Sequence, residues 1–200
     1  MKKVLVFVLL LGALSLVACS GGSKSSDSAS TSTTAKTNSN LVSMNADEKA
    51  LNDLLPAGNQ TCVPVRTDDS QKKWVIASAI LDCKAEGTSS LSYGLFNNVT
   101  DLDDTYKSQA TFMLKQVEST GGKVLTTTPG AQPCVQSPNE SGEWGLKDGE
   151  GKGGKYTCVS VPKPRIVWTE RSSLVIGDAD LTSTSINDLV TWWTTKSGPK

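Results

Sequence analysis

Histidine is absent from this 200-residue chain, which removes the Ser-His-Asp and Cys-His catalytic arrangements and any metal centre held by imidazole. Most familiar hydrolase chemistry goes with them. Neither sign of charge is in excess: Lys plus Arg number 20, as do Asp plus Glu. The basic stripe that a nucleic-acid binder carries is missing. Lys72-Lys73 is an isolated doublet, and Lys147, Lys152 and Lys155 are interleaved with Asp148 and Glu150, the pattern of a solvated loop of mixed sign. The apolar stretch from Val4 to Val17 is shorter than the roughly 20 residues a membrane-spanning helix needs. Of the 5 cysteines no two are spaced as Cys-x-x-Cys, so a zinc site is not indicated.

What is present begins with that apolar stretch. It follows Lys2 and Lys3 and ends at Leu16-Val17-Ala18-Cys19, the order of a secretory signal: charged start, short apolar segment, small residues at the cut. The last four residues resemble the lipobox of bacterial lipoproteins. That resemblance implies cleavage before Cys19, attachment of a diacylglycerol to its sulfur, and anchoring to the cell membrane on the extracytoplasmic face. Residues 1–18 are then signal peptide, residues 19–45 a lipidated cysteine with a tether, and residues 46–198 one domain. Loss of Lys2 and Lys3 leaves the mature chain slightly acidic. From Ser20 to about Asn45 the chain is mostly Ser and Thr, too poor in large apolar groups to offset its ordering entropy. A flexible tether is expected there, with a typical end-to-end distance of about 25–30 Å for roughly 25 residues.

With Cys19 assigned to lipid, Cys62, Cys83, Cys134 and Cys158 form an even set, as expected where disulfides persist. Three pairings are open to four cysteines. The sequential one, Cys62 with Cys83 and Cys134 with Cys158, is favoured because each pair brackets a candidate hairpin or strand pair.

Asn45-Ala46-Asp47-Glu48 reads as an N-cap and an acidic first turn, opening a helix through Ala50, Leu51, Leu54 and Leu55 that Pro56 ends. Strands are expected at Cys62 to Arg66, Trp74 to Cys83 and Leu91 to Asn97. A second helix, capped by Thr100, carries Leu102, Tyr106, Ala110, Met113, Leu114 and Val117 at helical spacing and stops at Gly121-Gly122. Loops with short strands near Cys134 and Trp144 follow. A meander at Lys155 to Val161, Arg165 to Glu170 and Ser173 to Gly177 comes next, then a helix from Ser185 with Ile186, Leu189, Val190, Trp192 and Trp193 on one broad face. The class is α+β, an antiparallel sheet with three helices and two disulfides. A spaced cysteine pair opens each strand group, hinting at two related halves.

The pattern Cys62, Ala79 through Asp82-Cys83, Tyr93-Gly94-Leu95-Phe96, Trp144, Tyr156-Thr157-Cys158, Trp168-Thr169 and Trp192-Trp193 resembles an extracytoplasmic domain of actinobacteria. That domain occurs in lipoproteins and as the outer part of some transmembrane Ser/Thr protein kinases. The resemblance implies a sensor-like role. The chain itself carries neither the glycine-rich loop nor the His-Arg-Asp loop of a kinase.

Several constellations invite a sharper reading. Ser70-Gln71-Lys72-Lys73, Ser137-Pro138-Asn139 and Lys196-Ser197-Gly198 mimic the three elements of penicillin-binding enzymes. Their contexts, a polar loop and a chain end, argue for coincidence. Asp148 to Gly153 faintly resembles a calcium loop, but Lys152 stands where a ligand belongs. Asp101, Asp103 and Asp104 suit a helix N-terminus, and Asp68-Asp69, Asp178 and Asp180 suit turns. Among Trp74, Trp144, Trp168, Trp192 and Trp193 the core is the default, with Trp144 the best placed for exposure and so the candidate binding surface. The expected function is a non-enzymatic binding or sensor-like module of the envelope. Its expected partners are the membrane, through Cys19, and an envelope protein or glycan, with no cofactor, metal, catalytic residue or nucleic acid. The alternatives are a histidine-free enzyme on peptidoglycan or glycan using Asp178 and Asp180 as acid and base, and a structural assembly factor.

Overall fold

Asn45 begins the first helix as its sequence requires: its Oδ1 accepts from the Glu48 N–H at 2.9 Å, and its own N–H donates to the Glu48 carboxylate at 2.7 Å. This reciprocal capping box starts α1 (Ala46–Leu54). The computed structural model describes residues 43–56, 60–66, 73–127, 130, 132–145 and 153–197. The segment with Cys19, Asp68 to Lys72 and the 148–152 run lie outside them.

An antiparallel meander follows: β1 (Gln60–Pro64), β2 (Ala79–Ala85) and β3 (Thr88–Leu95). Cys62 stands directly opposite Cys83 in register, and the two are joined by a disulfide. The apolar run from Trp74 to Cys83 is not all strand. Trp74 to Ala77 close a tight turn, with the Ala77 N–H donating to the Trp74 carbonyl at 3.1 Å, and the strand begins only at Ala79. Trp74 tucks against Gly94, where a Cβ would lie 2.6 Å from its ring. Trp74 and Ala77 pack beneath the turn while Val75 and Ile76 are exposed on it, so a strand pattern read from this apolar run starts too early.

The second helix, α2 (Val99–Ser119), is capped by Asn98, whose Oδ1 accepts from the Asp101 N–H at 2.9 Å. Thr100, the expected cap, lies inside the first turn. Leu102, Tyr106, Ala110, Met113 and Val117 are buried along one stripe. Beyond it come β4 (Leu125–Thr126), β5 (Glu140–Trp144), β6 (Gly154–Val159), β7 (Arg165–Glu170) and β8 (Val175–Leu181). Then α3 (Ile186–Trp192) runs into a π-helical turn at Trp193–Ser197. The expected strand at Ser173 to Gly177 thus sits later, and Asp178 and Asp180, assigned to turns, lie within it. Cys134 is in a turn with φ 65°, not in a strand, and is bonded to Cys158 of β6.

The strands form one sheet in the order β1-β2-β3-β8-β7-β6-β5-β4, antiparallel except for the β4–β5 pair. The first part is α1 followed by the three-strand meander β1–β3, and the second is α2, the short β4 and the four-strand meander β5–β8. Helices α1 and α2 lie on opposite faces, and β8 pairs with β3 to join the two meanders.

Alternation along the strands gives the sheet two apolar faces. On one, Leu81, Leu91, Tyr93, Ile166, Trp168 and Ala179 meet Leu51 of α1 and Leu189 and Trp192 of α3. On the other, Ile80, Val159, Val167 and Ile176 meet the buried stripe of α2. All five tryptophans are buried. Trp144 is 6% exposed; its indole N–H donates to the Thr169 carbonyl at 3.0 Å and its ring meets Trp193 edge-on. The glycine-rich surroundings that suggested exposure do not deliver it, because β5 packs Trp144 into the α3 side of the core.

Candidate functional site: the open half of the sheet

Helix α2 packs chiefly on β6, β7 and β8, with Ile80 of β2 at its margin. Farther out on the same face Thr61, Val63, Asp82 and Lys84 are exposed, and most of the outward positions are polar. Strand pairing lines them up in two ladders. One runs Thr61, Lys84, Ser90, Asp180, Arg165, and the other Val63, Asp82, Ser92, Asp178. Thr61, Val63, Asp82, Lys84, Ser90 and Ser92 line a shallow groove of about 420 Å³. None of these lining residues is aromatic.

At the inner end of the groove, where α2 begins to cover the sheet, charge is concentrated. Asp178 is 1% exposed. Arg165 grips it with two hydrogen bonds, Nη2 to Oδ2 at 2.6 Å and Nε to Oδ1 at 2.9 Å, and Lys73 adds an ion pair at 2.8 Å. Burial pushes the Asp178 carboxyl up, but the hydrogen bonds and charges of Arg165 and Lys73 outweigh it and hold the group below its usual range. The network extends outward. Lys73 donates to the Ser92 hydroxyl at 3.4 Å, Ser92 to Asp82 at 2.8 Å and Ser90 to Asp180 at 3.0 Å, while Arg165 lies 3.4 Å from Asp180. A carboxylate so bridged is ionised at neutral pH and has no proton to give.

A second polar cluster is internal. Glu140 is fully buried; its carboxylate accepts the N–H groups of Cys134, Gln136 and Ser137 at 2.7–3.0 Å and the Tyr156 hydroxyl at 2.7 Å. Burial raises the Tyr156 phenol well above its ordinary value. The cluster turns the 134–137 backbone around one side chain, so its donors are used within the chain.

The other sequence candidates are not brought together. Lys73 is committed to Asp178, Asn139 accepts from the Ser160 N–H at 3.0 Å, Ser137 serves Glu140, and Lys196 lies 3.5 Å from Glu86. Ser70 and the calcium-like run fall outside the described residues, apart from Gly153. Among the described residues no group of His, Cys, Asp and Glu could hold a metal ion, and no helix is long and apolar enough to cross a membrane. Sequence reasoning missed Arg165, Ser90 and Ser92, and gave Lys73 a different role. The available signal was Ser90-x-Ser92 and Asp178-x-Asp180, polar residues two apart inside strand-like runs, which is one face of a sheet.

Comparison with protein families gives no match, and neither curated proteins nor solved structures provide one.

Proposed function

We propose that this chain is a lipid-anchored, non-enzymatic binding module of the cell envelope, sensor-like in character, that docks a protein partner on the open half of its sheet. The observation that carries this reading is the open outer part of the ladders, in which the exposed Asp82 and Lys84 present charges of both signs across a shallow groove, with Ser90 and Ser92 bonded beneath them to Asp180 and Asp82. Such a surface suits polar complementarity with another protein. Sugar recognition usually relies on an exposed aromatic platform, and all five tryptophans are buried. The enzymatic alternative needs one carboxyl kept protonated near neutrality, whereas Asp178 is held low by two cations. The resemblance to the outer domains of actinobacterial lipoproteins and kinases agrees with a sensor-like role.

The test is crosslinking in intact cells followed by mass spectrometry, with Asp82→Lys plus Lys84→Glu as the face variant and Cys19→Ala as the unanchored control. Charge reversal should lower recovery of a reproducible partner by about tenfold with the melting temperature unchanged. A partner retained at wild-type level by the face variant would move the binding surface elsewhere.

A further inference from the structure

We infer that the turn holding Val75 and Ile76 is a membrane-contacting tip, resting in the headgroup–acyl boundary of the bilayer that carries the lipid anchor. This rests on the lipid-anchor reading of Cys19 and adds an orientation to it.

The chemistry of the turn is the first argument. Central positions of tight turns favour Gly, Asn, Asp, Pro and Ser, whose backbones or side chains suit the bend. Here they are two β-branched aliphatics, Val75 at 59% and Ile76 at 51% exposure. Neither can relax onto the core. The turn is pinned by the Ala77 to Trp74 hydrogen bond and by Trp74, 2% exposed and locked against Gly94. The protein therefore holds two apolar side chains outward on a fixed corner.

Position is the second argument. Arg66 donates to the Ser43 carbonyl at 2.6 Å and to Glu48 at 2.8 Å, which fixes where the chain enters the domain. Asn45, Glu48 and Arg66 line the same recess as Ala77 and Ser78, the residues that follow the turn. The described chain thus begins, at Ser43, at the end of the domain that carries the Val75–Ile76 turn. The β2–β3 hairpin at Glu86 is at the other end of the strands.

Reach is the third. The stretch from Cys19 to Ser43 advances 24 positions (43 − 19), and such a stretch spans at most about 80 Å and typically about 25–30 Å when unstructured. A tether of that length supplies a local concentration in the millimolar range. An apolar contact too weak to recruit a free protein is then sufficient. Among the described residues, the cations at this end, Arg66 and Lys73, are already paired with Glu48 and Asp178, so the contact proposed for Val75 and Ile76 is apolar and indifferent to lipid charge.

The test uses the full lipidated chain in vesicles of phosphatidylcholine, with and without phosphatidylglycerol. An environment-sensitive dye is placed at Ile76→Cys, with Val75→Cys as a second probe and Glu86→Cys at the far hairpin as reference. Intact-mass measurement reports the acyl group on Cys19. Nitroxide-labelled lipid should quench the dye at 76 or 75 about threefold or more beyond the dye at 86, in both lipid mixtures and at high salt. Equal quenching at the three positions, with the acyl mass present, overturns the tip and leaves the anchor standing. Quenching lost without phosphatidylglycerol overturns the apolar contact in favour of an electrostatic one. Absence of acyl mass overturns the anchor and this inference together.

Discussion

Glu140 is fully buried, and four hydrogen bonds hold it there. Three of these come from backbone N–H groups around Cys134, whose φ of 65° is the left-handed conformation that residues with a side chain rarely adopt. Carboxylate and disulfide together hold that turn. Glu140→Ala leaves the buried Cys134 N–H, the part-buried N–H groups of Gln136 and Ser137 and the buried Tyr156 hydroxyl without this acceptor and should destabilise the domain by about 3 kcal/mol in urea melts; a loss below about 1 kcal/mol would mean that water replaces the carboxylate. Tyr106 carries a prediction in pH. Burial, only partly countered by its hydrogen bond to Thr157 at 2.8 Å, raises its phenol from 10.0 to about 12. The unfolded phenol ionises first, so stability present below about pH 10 is lost as pH rises toward 12. In Tyr106→Phe the alkaline loss should be shallower than in wild type, as read by urea midpoints from pH 9 to 11.5. Parallel curves would contradict the assignment.

Among the elements, α2 shows how a helix start can be misplaced by two residues. Asn98, Thr100 and Asp101 are all capping types, and only the hydrogen bond from the Asp101 N–H to Asn98 at 2.9 Å decides between them. Asn98→Ala should cost about 1 kcal/mol and Thr100→Ala less than about 0.5 kcal/mol; the reverse order in thermal melts would return the cap to Thr100. Helices were legible because caps and a 3.6-residue period are local signals, as at Asn45 and along Leu102 to Val117. The sequential disulfides were legible because each spans a hairpin-sized stretch. Other features depend on distant partners and left no local trace. Trp74 to Ala77 looks like strand because a turn there carries buried tryptophan, and β4 is two residues defined only by pairing with Glu140 and Ser141. Asp178 and Asp180 read as turn residues until Arg165 and Lys73, remote in sequence, are placed against Asp178. The candidate site was only partly legible for the same reason: Ser90-x-Ser92 and Asp178-x-Asp180 each mark a polar face, but the surface is made by register across β1, β2, β3 and β8.

At the scale of the molecule, the Arg165–Asp178 pair ties β7 to β8 and Lys73 draws in the corner before β2. The Asp178 carboxyl sits below its ordinary value of 3.8, so its contribution is fully present above about pH 4 and is lost as pH falls below that. Arg165→Gln should destabilise the domain by about 3 kcal/mol at pH 7 by leaving a buried charge with one partner fewer. Its stability should then fall less steeply than that of wild type below pH 4; identical acid slopes would remove Asp178 from the account. With the open half of the sheet proposed for a protein partner and the Val75–Ile76 corner for the bilayer, the two surfaces divide the roles of docking and orientation. The position of β8 adds a constraint on time. The meander β1–β3 is joined to β7, β6 and β5 only through β8, whose pairing partners in β3 lie 80 residues or more back, as with Ser92 and Asp178. A chain emerging amino end first therefore carries β3 with an unpaired border until β8 has been made. A nascent chain halted before Val175 has no way to close its sheet, and quality control meets an all-or-nothing product.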